Sequence, residues 1–230
     1  MQDTRYSLRA LARLIAYPDA QLRSELDALL QVLDDEEVVP AKRRAELRAL
    51  ATGLLRQDPL LVEGHYVETF DRGRATSLHL FEHVHGDSRD RGPAMIDLVQ
   101  TYEKAGLFLG PDELPDHLGV VLEFASTQPP ALAKAFLGEM AHILNAVFSA
   151  LLKRESPYAA VIAAVLELAG QKAQAVPIPV EESIDESWAE PQAFDGCSTQ
   201  GQARPGQAQP IHIVRKNTSA SKGASQGATA

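Results

Sequence analysis

The chain has 230 residues, 45% of them hydrophobic, which predicts one globular domain with a buried core and additional segments. A formal net charge of −9 disfavours nucleic acid as a partner, because phosphate binding needs clustered positive charge, and it favours a basic protein or peptide. The single cysteine, Cys197, excludes an internal disulfide and a cysteine-based zinc site, and it suits a reducing cytoplasm.

Apolar residues recur at helical spacing from the N-terminus onward, beginning with Leu8, Leu11 and Ile15. A break at Tyr17–Pro18 follows, and Asp19 is a candidate N-cap for the next helix. Further stripes of the same period follow along the chain at Leu22, Leu26, Leu29 and Leu33, at Leu47, Leu50 and Leu54, and at Leu118, Leu122 and Ala125. The sequence lacks an alternating strand pattern of useful length, so it predicts an all-α fold built as a single helical bundle.

Start and stop signals divide the middle of the chain into helices. Asp58 and Pro59 form a cap followed by a helix-start proline, and the helix that they open carries Tyr66 and Phe70 one turn apart. Gly106 is placed to end a later helix.

The composition changes after Gly170. Residues 171–230 are rich in Gln, Ala, Gly, Ser and Pro and contain few large apolar side chains, so burial cannot offset the entropy of ordering them. We therefore predict a helical domain over residues 1–170 and a flexible, disordered, low-complexity tail over residues 171–230. Two short apolar islands, around Trp188 and Ile211, could dock on the helical body or on a partner.

No stretch of the sequence suits membrane insertion. The longest apolar run, Ala159–Leu166, is far shorter than the ~20 residues of a membrane helix. Arg5, Arg9 and Arg13 interrupt the apolar positions that a signal peptide would need. We expect a soluble, cytoplasmic protein.

The stretch from Tyr66 to Met95 is unusually polar and contains three of the seven histidines. His79 and His83 are four residues apart and would share one face of a helix, with His85 as a third candidate ligand. A metal-dependent hydrolase that uses these histidines and Glu82 is therefore one alternative. Leu80 occupies the glutamate position of a His-Glu-x-x-His motif, however, so we favour hydrogen-bonding or peptide-contact roles and predict no metal site.

Other catalytic patterns are missing from the sequence. Ser77 and Ser88 lie near histidines but outside a Gly-x-Ser-x-Gly elbow, and the sequence has neither a Walker loop nor a Gly-x-Gly-x-x-Gly motif. The absence of these motifs favours a protein that is not an enzyme and needs no cofactor of its own.

A second group of residues comprises Pro115-Asp116-His117 and Leu122-Glu123-Phe124. If a helix begins at Pro115, Asp116 and Glu123 lie two turns apart on one face. Both carboxylates could then pair with arginines of a guest peptide through charge-assisted hydrogen bonds. They could equally pair with arginines of this chain, and Asp116 could simply cap its helix.

These two stretches resemble a known family. YVETFDRGRATSLHLFEHVHGDSRDRG, residues 66–92, strongly resembles the NarJ type of nitrate reductase assembly chaperone, and Pro115-Asp116-His117 with Leu122-Glu123-Phe124 resembles the signature of the wider TorD-like family of redox-enzyme maturation chaperones. The resemblance covers roughly residues 5–170.

The resemblance implies an all-helical cytoplasmic chaperone without catalytic activity, which acts in nitrate reductase assembly and nitrate assimilation. Its expected partner is the apo α subunit of respiratory nitrate reductase, bound through the N-terminal peptide and held until the molybdenum cofactor is inserted, before attachment to the membrane subunit. Proteins that deliver the molybdenum cofactor are further expected partners.

We expect the peptide to lie as an amphipathic helix in an apolar groove, with charged residues at its rim. The residues predicted to form this groove come from the Tyr66–Phe70 helix, the Phe81 segment and a helix starting at Pro115: Tyr66, Phe70, Phe81, His83, Pro115, Asp116, His117, Glu123 and Phe124. Asp116 and Glu123 are the predicted rim carboxylates.

Overall fold

The structure is a computed structural model that describes residues 3–86, 88–111 and 113–177. Helices are the regular secondary structure of the described residues, whose one β pairing is an isolated bridge between His79 and His117, and this confirms the predicted all-α fold. The predicted disorder of the tail falls almost wholly on residues outside these ranges.

Ten α-helices and one 3₁₀ turn are formed by the described residues. In chain order the helices are α1 (Arg5–Leu14), α2 (Ala20–Glu36), α3 (Ala41–Arg56), α4 (Pro59–Phe70), α5 (Glu82–His85), α6 (Arg91–Lys104), α7 (Leu118–Thr127), α8 (Pro130–Glu139), α9 (Ala141–Lys153) and α10 (Ala159–Leu168). The 3₁₀ turn, Arg74–Thr76, lies between α4 and α5.

Local chemistry sets several helix ends where the sequence predicts them. The Asp19 carboxylate accepts the Leu22 N–H at 2.7 Å, and the Asp58 carboxylate accepts the Leu60 N–H at 2.9 Å. Both bonds satisfy N–H groups that lack partners inside the helix. Pro59 is the first residue of α4, and Gly106, with φ of +79°, follows α6 in a left-handed conformation that a residue with a Cβ rarely adopts.

The main core lies where α10 packs against α1, α3, α8 and α9. Every residue of Ala159–Leu166 is buried, because α10 is surrounded by other helices on all sides. α1 packs against both α2 and α7, and its stripe of Leu8, Leu11 and Ile15 is buried as predicted. The continuous apolar sequence of α10 therefore reflects its central position in the bundle. The single apolar stripe of α1 reflects a peripheral position.

A second, smaller apolar cluster holds α6 to the bundle. Leu98 and Tyr102 of α6 are buried together with Phe124 of α7, and the half-buried Phe81 and Phe136 pack against them. The Tyr102 and Phe124 rings lie 4.6 Å apart between centroids. This cluster adjoins the main core, since Phe81 and Phe136 pack against both.

Residues 171–177 run alongside α9. The Gln174 N–H donates to Asn145 Oδ1 at 2.8 Å and the Val176 N–H donates to Ser149 Oγ at 2.8 Å. Ala173 also packs against the core. The chain therefore stays attached to the bundle for several residues beyond Gly170, the predicted domain boundary.

No single described helix is both long and apolar enough to cross a membrane. Only α8 and α9 taken together meet that criterion, and they are bent by 65° relative to each other.

Candidate functional site

The three clustered histidines face three different partners. His79 Nδ1 lies 3.4 Å from Asp116 Oδ1, and His83 Nε2 lies 2.9 Å from the Ser77 carbonyl oxygen. The His85 ring instead packs edge-on against Phe81. Among the described residues, no group of three or more His, Cys, Asp or Glu side chains is arranged to hold a metal ion.

His79 and His83 do not share a helix face, although their spacing would allow it on a continuous helix. Only residues Glu82–His85 form a helical turn, and His79 precedes that turn in an isolated antiparallel bridge with His117. The backbone is held there by a hydrogen bond from the Leu118 N–H to the Leu78 carbonyl and by one from the Leu80 N–H to the Asp116 carbonyl. These long-range bonds override the helical spacing of the histidines.

Asp116 is a buried carboxylate in a hydrogen-bonded network. Its side chain is fully inaccessible to solvent, and it accepts the Phe81 N–H at 3.2 Å beside His79. Arg91 Nη2 lies 3.5 Å from Asp116 Oδ2, and Arg91 Nη1 lies 3.4 Å from Glu82 Oε1. The network joins the 77–91 segment to the residues that precede α7.

This network shifts the pKa values of its members in a consistent way. Burial alone would raise the pKa of Asp116, but the hydrogen bonds from His79 and the Phe81 N–H, with the charge of Arg91, hold it below its ordinary value. The hydrogen bond to Asp116 raises the pKa of His79. Burial and the neighbouring His79 lower the pKa of His117.

Asp116 and Glu123 do not lie on one helix face, because the helix does not start at Pro115; the alternative that Asp116 pairs with an arginine of this chain agrees with its contact to Arg91. α7 begins at Leu118, and the His117 side chain caps it by accepting the Gly119 N–H at 3.2 Å. Asp116 therefore lies before the helix and points inward, whereas Glu123 is exposed on α7. The hydrogen bonds and ion pair that Asp116 forms within the chain explain why this charged residue is buried.

Tyr66 and Phe70 lie in the main core. They are only 6% and 4% exposed, and both rings pack against Tyr158, with centroids 5.8 Å and 5.1 Å away. The Tyr66 hydroxyl donates to the Ile15 carbonyl at 2.8 Å. A guest could reach these rings only if the surrounding helices moved.

A groove of about 480 Å³ opens beside α7. Its apolar surface is formed by Tyr102 of α6, Val120 and Phe124 of α7, and Leu107, Phe108 and Leu109 of the loop after α6. Its polar boundary is formed by Arg9, Glu113, Glu123, Ser126 and Thr127. The Phe108 side chain is 81% exposed, which leaves a large apolar ring uncovered at the groove.

Several polar residues of the groove are held by hydrogen bonds. Arg9 Nε donates to Ser126 Oγ at 3.2 Å, and the Ser126 hydroxyl donates to the Glu123 carbonyl at 2.6 Å. Glu113 Oε2 accepts the Gly110 N–H at 2.9 Å, which fixes the end of the loop. The boundary of the groove is therefore preorganised.

Two residues of the predicted site, Glu123 and Phe124, line this groove. Pro115 borders it indirectly, since its carbonyl accepts the buried Tyr102 hydroxyl at 2.8 Å. Phe81, His83 and His117 are half-buried outside the lining. The sequence reasoning missed Arg9 and Phe108, although three apolar residues in a loop, Leu107–Leu109, were an available signal.

Comparison with known proteins identifies the family. Residues 36–164, which are more than half of the chain, match the sequence profile of the nitrate reductase delta subunit family. The chain belongs to this family. It is 39% identical over 195 residues to the nitrate reductase molybdenum cofactor assembly chaperone NarJ of Escherichia coli strain K12, covering 84% of this chain and 82% of that protein.

A second relative is similar in sequence, and one solved structure is similar in fold. The chain is 31% identical over 167 residues to a protein of Bacillus subtilis strain 168 named as a probable nitrate reductase molybdenum cofactor assembly chaperone, covering 71% of this chain and 88% of that protein. The crystal structure of a redox enzyme maturation protein from Archaeoglobus fulgidus shares the fold, with a TM-score of 0.51 and 19% identity, covering 73% of this chain and 94% of that one.

Proposed function

We propose that the chain is a chaperone dedicated to respiratory nitrate reductase. It binds the apo α subunit through its N-terminal peptide and holds that subunit ready for insertion of the molybdenum cofactor, before attachment to the membrane subunit. The observation that carries this proposal is the 39% identity, over most of both chains, to an assembly chaperone of this enzyme.

The groove beside α7 supports peptide binding. An amphipathic helix binds by placing its apolar face in a hydrophobic groove, and charges at the boundary set its orientation and its rate of association. Phe124, Val120 and Tyr102 supply the apolar surface, and the exposed Glu123 supplies a boundary carboxylate that suits a basic guest. For Tyr66, Phe70, Asp116 and the other predicted residues, contact with the peptide stays a prediction.

A binding role also fits the histidine cluster better than hydrolysis does. In the described part of the chain His79, His83 and His85 face a carboxylate, a carbonyl and an aromatic ring, and they do not converge on a common point. Two relatives of the chain are named as assembly chaperones, which favours a protein without catalysis of its own. On this proposal, proteins that deliver the molybdenum cofactor meet the α subunit while the chain holds it.

The test is the molybdenum content of the α subunit made in cells with and without this chain. We expect cells that lack the chain to make α subunit with little bound molybdenum, and we expect the full chain to restore it. We also expect the full chain to retain intact apo α subunit, but not a form that lacks the N-terminal peptide. Full molybdenum loading without the chain would contradict the proposal.

A further inference from the structure

The charges around the groove are arranged unequally along α7. Arg9 and Ser126 lie beside the C-terminal end of α7, whereas Glu113 lies near its N-terminal end and Glu123 lies between them. Val120 and Thr127, which mark the two ends, are about 10 Å apart at the helical rise of 1.5 Å per residue. The groove thus has a cation at one end and carboxylates from its middle to its other end.

Arg9 is held in this place by a specific contact. Its Nε–H donates to Ser126, whose side chain is only 1% exposed and whose own hydroxyl proton is directed to the Glu123 carbonyl. Across the described residues no carboxylate lies within 4.0 Å of the Arg9 guanidinium, although other arginines of this acidic chain, such as Arg13 and Arg43, form ion pairs. Arg9 therefore lines the groove without an acidic partner among the described residues.

We propose that Arg9 fixes the direction in which a guest helix lies in the groove. This inference rests on the proposed function. A helix carries a partial positive charge at its N-terminus and a partial negative charge with free carbonyl oxygens at its C-terminus. The guest therefore places its N-terminal end near Glu113, its basic side chains near Glu123, and its C-terminal carbonyls near Arg9, so that it runs parallel to α7.

The dipole of α7 itself favours the opposite direction, but its effect is smaller. Each end of a helix is equivalent to roughly half a unit charge, whereas Arg9, Glu113 and Glu123 carry full charges. The full charges at the groove therefore decide the direction.

The test is NMR of the full chain bound to a synthetic N-terminal peptide of the α subunit, with a nitroxide label at either end of the peptide. We expect the N-terminal label to weaken the amide signals of Leu107 and Val120 most, and the C-terminal label to weaken those of Arg9 and Thr127 most. The reverse pattern would overturn the direction while leaving the groove in place. Bound peptide with no signal loss at either set would overturn the groove as the binding site.

The variant Arg9→Gln tests the role of this side chain. We expect peptide affinity to fall about two- to fivefold, which is the range for an exposed charge, and this loss to shrink at high salt. We also expect the two labels to give more similar patterns. Arg5→Gln, which changes an exposed arginine on the same helix outside the groove, serves as the matched control and should bind like the unmodified chain. If Arg9→Gln lowers the melting temperature but leaves affinity and label patterns unchanged, Arg9 only stabilises α7 and the proposal fails.

Discussion

At the scale of single residues, Asp116 is the clearest case of a charge kept in the interior by its partners. It has no exposed surface, yet the Phe81 N–H, His79 and Arg91 all direct positive or donor groups toward it. An ionised carboxylate is costly to bury unless it is paired and hydrogen-bonded in this way. Asp116 therefore stabilises the folded site. Solvent or a guest could contact its carboxylate only if the hydrogen-bonded network opened.

Asp116→Asn tests this structural role. The change keeps the size of the side chain but removes the charge that pairs with Arg91 and His79. We expect the free energy of unfolding to fall by about 1.5–3 kcal/mol, the range for hydrogen bonds to charged groups. Urea denaturation measures it, with Glu123→Gln as an exposed control that should leave stability nearly unchanged. Equal stability of both variants would show that the buried network contributes little.

His79→Asn tests the effect of pH. Because the folded state raises the pKa of His79, its protonated form adds stability that is complete below about pH 6.5 and is lost as pH rises through the raised pKa. His117 acts in the opposite sense, since its lowered pKa costs stability as pH falls through about 6.5.

In the His79→Asn variant, Asn keeps a donor near the Nδ1 position without titrating. We expect the variant to lose more stability than the unmodified chain on acidification from neutral pH, as measured by melting at several pH values. Parallel pH profiles for the two would rule out this role for His79.

At the scale of helices, α6 is attached to the bundle by few interactions. Its buried residues Leu98 and Tyr102 pack in the small cluster with Phe124, and the Tyr102 hydroxyl donates to the Pro115 carbonyl. Because Tyr102 and Phe124 also line the groove, the position of α6 sets the shape of its apolar surface.

Tyr102→Phe measures the polar part of this attachment. The ring and its packing stay, and only the hydrogen bond to Pro115 is lost. We expect the free energy of unfolding to fall by about 0.5–1.5 kcal/mol, and the amides of α6 to exchange faster with solvent than those of α10 do. Tyr6→Phe, which changes an exposed tyrosine of α1, is the control. An unchanged stability and exchange rate in α6 would mean that packing alone positions the helix.

Local signals predicted several helix boundaries, because a cap and an apolar stripe act within one or two turns. Asp19, Asp58 and Gly106 take the predicted roles for this reason. The start of α7 was predicted wrongly. Pro115 and Asp116 resemble a helix start, but hydrogen bonds from the Leu80 N–H to the Asp116 carbonyl and from the Leu118 N–H to the Leu78 carbonyl keep this stretch outside the helix. Such bonds join distant stretches and leave no periodic trace in the sequence.

The same limit applied to the candidate site. The spacing of Tyr66 and Phe70 shows that they share a face, but it cannot show that this face packs against Tyr158 in the core. Glu123 and Phe124 line the groove beside α7, but the other predicted groove residues do not. Arg9 was missed because α1 meets α7 only in the folded chain.

At the scale of the whole molecule, the described residues up to Pro177 belong to one compact unit whose core is complete within the helices. We expect truncation after Pro177 to leave the melting temperature unchanged. Truncation after Gly170 removes the bonds of Gln174 and Val176 to α9, and we expect it to lower the free energy of unfolding by about 1–3 kcal/mol while keeping the helical signal. Thermal melts of both forms and the full chain measure this. Loss of most helical signal after the Pro177 truncation would show that later residues are needed for the fold.

On the proposed function, the chain binds the N-terminal peptide of the nitrate reductase α subunit in the groove beside α7, and calorimetric titration of that peptide tests this binding most directly. Phe108→Ala and Leu60→Ala form a matched pair, because these side chains are 81% and 78% exposed and lie at the groove and on α4 respectively. We expect Phe108→Ala to weaken binding by about 1.5–3 kcal/mol, the value of burying such a ring, and Leu60→Ala to bind like the unmodified chain. No binding by the unmodified chain, or a loss confined to Leu60→Ala, would contradict the account.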